Sequence, residues 1–139
     1  MKKNTSLVFT GDIGFDRYMY GKWDDENLIS KEILEFLHSA DHVITNVEGP
    51  VALAEQNTTQ SGVQQLLHTI DPAAVKVLKN IKSDIWNICN NHIMDAGPYG
   101  IESTLKIAKE NNVQTIGAGM NIDEARKPVI LNETGGIGM

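Results

Sequence analysis

Ile85-Trp86-Asn87-Ile88-Cys89, followed at once by Asn90-Asn91-His92, contains the pattern that repeats through the rest of the chain. A short run that is mostly apolar and does not alternate suits a strand covered on both faces. The polar residues after it mark the strand's carboxyl end. A helical stripe of Ile101, Leu105 and Ala108 comes next, opened by Gly97-Pro98. Four further strand-like runs are read at residues 6–10, 42–46, 113–116 and 129–131. Amphipathic stripes separate them. Leu28, Ile29, Ile33, Leu34, Phe36 and Leu37 form one, and Ala74, Val75, Val77, Leu78 and Ile81 form another. Asp71-Pro72 fits an N-cap and first helical position for the second stripe, and residues 121–126 fit one more short helix. Strands alternating with helices imply βαβ units, and so an α/β fold with a mainly parallel sheet and flanking helices.

At 139 residues the chain has enough apolar material for one core, so residues 1–139 are expected to form one domain or part of one. The apolar stretch after Lys2-Lys3 is only Leu7-Val8-Phe9, too short for a signal peptide, and no run reaches the ~18 residues of a membrane span. As written the chain reads as cytoplasmic, with any membrane link coming through a longer precursor. The net charge of −6 and the scattered lysines and arginines offer no basic face, so nucleic acid is not an expected partner. Acid excess does suit divalent cations. Cys89 is the single cysteine, which excludes an internal disulfide and a multi-cysteine zinc site. Residues 52–66 are polar and weakly patterned and read as a long loop near the site. The tail from Pro128 to Met139 reads as a strand, a turn at Gly135-Gly136 and the start of a returning strand, which points to truncation.

Metal-competent groups follow three strands in order: Asp12 after the first, Asn46 and Glu48 after the second, Asn91 and His92 after the third. In open α/β sheets the loops at the carboxyl edge converge and bind ligands. Carboxylate, amide oxygen and imidazole suit hard or borderline divalent ions. Each residue also has an ordinary reading. For Asp12 alone, a turn former or N-cap is about as good an account as a ligand. Glu48-Gly49-Pro50 also fits a solvated turn, and Asn90-Asn91 also fits a helix cap. A lone histidine is more often structural, so His38, His42 and His68 are read as surface or packing residues, with His68 the least clear.

Gly11-Asp12-Ile13-Gly14-Phe15-Asp16-Arg17, Asn46-Val47-Glu48-Gly49-Pro50, and Asn90-Asn91-His92-Ile93-Met94-Asp95-Ala96-Gly97 resemble three successive motifs of the CapA-type poly-γ-glutamate capsule biosynthesis proteins. Gly117-Ala118-Gly119-Met120-Asn121 with Glu124-Ala125-Arg126-Lys127-Pro128-Val129-Ile130 resembles a fourth. Four motifs in order are specific where one would be weak. That resemblance implies the N-terminal part of a four-layer α/β/β/α domain of the calcineurin-like metallophosphoesterase superfamily. It implies metal ligands at Asp12, Glu48 and Asn91 with Asn46 beside them, and up to two divalent ions (Mn, Fe or Zn). It also implies His92 as general acid at the leaving group, Asp95 orienting His92, and Arg17 holding an anionic group. The family's remaining histidine ligands lie in the second half of its domain, so half a site and weak metal binding are expected here. The expected function is a metal-dependent phosphoesterase linked to poly-γ-glutamate capsule biosynthesis, acting on a small anionic or polyglutamate-related substrate. The alternatives are a non-catalytic assembly or binding component and an inactive fragment.

Overall fold

The computed structural model describes residues 4–53 and 68–131. Four strands form one parallel sheet in the order β1-β2-β3-β4: β1 Leu7–Ile13, β2 His42–Val47, β3 Ser83–Asn87 and β4 Gln114–Ile116. Between them run α1 (Lys31–Ser39), α2 (Val75–Asn80) and α3 (Gly97–Glu110), and α4 (Ile122–Ala125) follows β4. The expected α/β class with a parallel sheet and flanking helices is what the chain adopts.

The helix starts are set by local chemistry. Ser30 accepts from the Ile33 N–H at 3.4 Å and opens α1. Asp71 accepts from the Ala73 N–H at 2.8 Å, with Pro72 in the first position of a short 3-10 turn, Pro72–Ala74, that leads straight into α2. Asn121 caps α4 by accepting from Glu124 N–H at 3.0 Å.

Side-chain alternation along β2 and β3 divides the core in two. Val43, Val47, Trp86 and Ile88 face α1, α2 and α3, packing on Leu37, Leu78, Ile101 and Ala108. Ile44 and Ile85 point the other way, onto Val129 and Leu131 with Leu7 and Ile116 at the margin. All three crossover helices therefore share one face, as successive right-handed βαβ units in a sheet of sequential order require.

The strand boundaries differ from the sequence reading by one residue in β2 and β4 and by more elsewhere. β1 continues through Gly11 and Asp12 to Ile13, because the parallel ladder resumes beyond an irregularity in register. β3 begins at Ser83 and ends at Asn87, before Ile88 and Cys89. Residues 129–131 form no named strand among the described residues, although Val129 and Leu131 are buried. The polar loop from residue 54 and the tail from residue 132, including the turn read at Gly135-Gly136, lie outside the described residues. No helix among the described residues is long and apolar enough to cross a membrane.

Candidate functional site

The irregularity in β1 determines which residue reaches the site. Phe9 pairs with Ile44, but Asp12, not Gly11, pairs with Asn46. One extra residue in β1 therefore shifts the side-chain alternation and brings Asp12 onto the face of Asn46, away from the helices. Asn46 in turn pairs with Asn87 of β3. The result is a polar row across three neighbouring strands at their carboxyl ends. Asn46 Nδ2 donates to Asp12 Oδ1 at 2.5 Å, and Asn87 Nδ2 donates to Asn46 Oδ1 at 2.9 Å. Asn90 extends the row with an Nδ2 bond to the Val47 carbonyl at 2.8 Å and a longer one to Asn46 Oδ1 at 3.4 Å.

Beyond Asn90 the chain turns, and the His92 N–H donates to Asn90 Oδ1 at 3.1 Å. His92 Nδ1 lies 2.8 Å from Asp95 Oδ2. A carboxylate only accepts, so the ring's Nδ1 carries the proton there and Nε2 is left for other partners. A second pair lies against the first. His68 Nδ1 is 3.0 Å from Asp16 Oδ2, and the His68 and His92 ring centroids are 4.0 Å apart at 49°. The His68 N–H donates to Asp95 Oδ2 at 2.7 Å.

The backbone around Gly49 explains how residue 68 comes to the site. Val51 and Ile70 form a parallel bridge, with Ile70 N–H donating to the Pro50 carbonyl at 2.9 Å and Ala52 N–H to the Ile70 carbonyl at 3.0 Å. Thr104 and Ser103 of α3 fix the same segment through the Val51 N–H and carbonyl, each at 2.8 Å. Gly49 has φ +105°, and a β-carbon there would lie 2.5 Å from the His68 carbonyl oxygen. Only glycine allows the two backbones this close.

Of the residues singled out in the sequence, Asp12 and Asn46 meet, and His92 and Asp95 meet. Glu48 follows β2 and is half-buried. A β-carbon at Gly14 would lie 4.0 Å from Glu48 Oε2 and 3.8 Å from Asp16 Oδ1, so both carboxylates flank Gly14. Asn91 is exposed, and the hydrogen-bonded row runs through its neighbour Asn90 instead. Arg17 opens a short 3-10 turn, Arg17–Met19. His68, Asp16, Asn87 and Asn90 belong to the site although the sequence reading gave them no role in it. Asp16 and Asn90 sat inside quoted motifs. His68 carried no local signal, since only the bridge to Val51 brings it in.

The divalent ions implied by the resemblance would need donors beyond the His, Cys, Asp and Glu side chains that these residues bring together as placed. The donor types are suitable, yet among the described residues no group of three or more His, Cys, Asp or Glu side chains is close enough to hold a metal ion. Asn46 is also committed, its nitrogen to Asp12 and its oxygen to Asn87 and Asn90.

Residues 6–138 match the family described as "Bacterial capsule synthesis protein PGA_cap". The chain is 30% identical over 134 residues to "PGA biosynthesis protein CapA" of Bacillus subtilis (strain 168), covering 95% of this chain and 35% of that protein. It is 28% identical over 142 residues to "Capsule biosynthesis protein CapA" of Bacillus anthracis, covering 96% of this chain and 34% of that protein. The chain thus spans about a third of the length of these curated relatives.

Proposed function

This chain belongs to the bacterial capsule synthesis protein family PGA_cap, and from that premise we propose that it carries the proton-donating half of a phosphoester-hydrolysing site used in poly-γ-glutamate capsule biosynthesis. The observation that carries the reading is the His92–Asp95 pair, 2.8 Å apart, at the same sheet edge as the Asp12–Asn46–Asn87 row. With Nδ1 engaged by Asp95, a protonated His92 has its second proton on Nε2. Water attacks phosphorus and gives up a proton to solvent. The bond from phosphorus to the leaving oxygen breaks, and the Nε2 proton goes to that oxygen, after which His92 is reprotonated from solvent. Asp95 stabilises the imidazolium before transfer and keeps the ring in one tautomer. The proposed substrate is a small anionic or polyglutamate-related phosphoester. Divalent ions enter the proposal only as weakly held guests of Asp12 and Glu48, with further donors outside the described residues.

Hydrolysis of bis-p-nitrophenyl phosphate and of diphenyl phosphate in the presence of Mn²⁺ tests this. A general acid contributes about 10²–10⁴-fold, and more for the poorer leaving group. His92→Ala is therefore expected to lower kcat strongly for diphenyl phosphate and less for the nitrophenyl ester. Equal, small effects on both esters would remove His92 from the acid role.

A second reading, a non-catalytic assembly or binding component of the capsule machinery, is favoured by one observation. The described residues contain no group of three His, Cys, Asp or Glu side chains placed to hold a metal ion. No turnover of either ester above the His92→Ala background, at any Mn²⁺ concentration, would decide for it.

A further inference from the structure

We propose that His68 is a positioning residue that locks the His92–Asp95 pair. The inference rests on the reading of His92 as the proton donor. Residue 68 engages that pair in two independent ways. Its N–H donates to Asp95 Oδ2 at 2.7 Å, the same oxygen that receives His92 Nδ1 at 2.8 Å. Two donors on one oxygen hold the Asp95 carboxylate against rotation. Its ring lies on the His92 ring at 4.0 Å between centroids, which limits swing of the imidazole about its side-chain bonds. The ring of His68 is fixed in turn by Asp16, 3.0 Å from its Nδ1.

The surroundings fit a support and not a loose surface contact. The side chains of His68, His92 and Asp95 are 18%, 20% and 14% exposed. The His68 carbonyl rests against Gly49, and two residues on, Ile70 is bridged to Val51, whose backbone is fixed by α3. Residue 68 is therefore held from the backbone side by β2's exit and from the ring side by Asp16. The chain Asp16–His68–His92–Asp95 joins the first motif of the sequence to the third through a residue in neither. Asp16 acquires a role by the same route, as the anchor of His68.

The side chain of His68 acts through the tilted ring contact and the Asp16 bond, and its N–H acts whatever the side chain. His68→Phe keeps a ring on His92 and gives up Asp16. His68→Ala gives up both. Asp16→Asn leaves the ring contact and weakens the anchor. The readout that does not depend on turnover is the His92 Nδ1–H proton in the NMR spectrum of the full chain, assigned by its disappearance in His92→Gln. A proton held between His92 and Asp95 exchanges slowly with water and gives a resolved downfield signal. That signal is expected in the parent chain, to persist in Asp16→Asn, to weaken in His68→Phe and to broaden away in His68→Ala.

Ester hydrolysis is measured on the same proteins. Residues that orient a working group typically contribute about 10–100-fold, so His68→Ala is expected to lower kcat by about tenfold or more with KM little changed. An unchanged Nδ1–H signal and unchanged kcat in His68→Ala would overturn the proposal. So would loss of the signal in His68→Phe equal to that in His68→Ala, because the ring contact would then do nothing. If the parent chain turns over no ester, the phosphoester reading fails by itself. The Nδ1–H signal then still decides whether His68 holds the pair.

Discussion

Gly49 is the residue on which the geometry of both histidines depends. Its φ of +105° already excludes most side chains, and its missing β-carbon leaves room for the His68 carbonyl. Gly49→Ala should cost on the order of 1–3 kcal/mol, since it adds backbone strain and a clash against main chain. Urea denaturation measures the loss, and a cost below that range would mean the Val51–Ile70 bridge gives way cheaply. The same change should push residue 68 off His92, so ester turnover should fall further than the stability loss alone explains. At this scale the site was half legible from the sequence. Asp12 and Asn46 stand near strand ends, and His92 and Asp95 inside a short motif, where pattern is informative. His68 was invisible because its place depends on a bridge between Val51 and Ile70, nineteen positions apart in the chain. Asn90 and Asn91 are neighbours of one type, and only the turn geometry shows that Asn90 faces inward.

Helix starts give the predictions at the level of single elements. Asp71 accepts from Ala73 N–H at 2.8 Å and Ser30 from Ile33 N–H at 3.4 Å. Loss of an N-cap costs about 0.5–2 kcal/mol. Asp71→Ala is expected near the middle of that range and Ser30→Ala at its lower end, both read from denaturation midpoints. The reverse order would show that the two bond lengths do not rank the caps. Ser30 also acts on Glu32, whose carboxyl is held below its ordinary value by its own backbone N–H first and the Ser30 hydroxyl second. A lowered folded pKa gives a contribution present above the unfolded value and lost as pH falls through the folded one. An NMR titration of Glu32 in Ser30→Ala should therefore move upward toward the ordinary carboxylate value. The cap at Asp71 was readable in advance because Asp-Pro before an apolar stripe is a local signal, whereas Ser30 was not singled out. The length of β1 was not readable either. Gly11-Asp12 looks like a strand terminus, and only pairing with β2 shows the ladder resuming beyond the extra residue.

Across the whole molecule, the α/β class followed from the alternation of apolar runs and helical stripes, whereas the strand order did not. Nothing in a single parallel strand names its neighbour. The sheet turns out to run β1-β2-β3-β4 without reversal, so the site sits at adjacent strand ends and not at a switch in strand order. A calorimetric titration with Mn²⁺ belongs at this scale. With no group of three His, Cys, Asp or Glu side chains placed to hold a metal ion among the described residues, binding should be weak, on the order of 10–100 μM or poorer. Asp12→Ala should weaken it further. Sub-micromolar binding of two ions, lost in Asp12→Ala, would instead mean that residues outside those described complete a dinuclear site. The sequential order has one more consequence, for the chain as it leaves the ribosome. Among the described strands, each one after β1 finds its partner already made, because each pairs with the strand immediately before it. The row of Asp12, Asn46 and Asn87 can thus be assembled while α3 is still inside the exit tunnel, with the His92–Asp95 pair added to a platform that already exists.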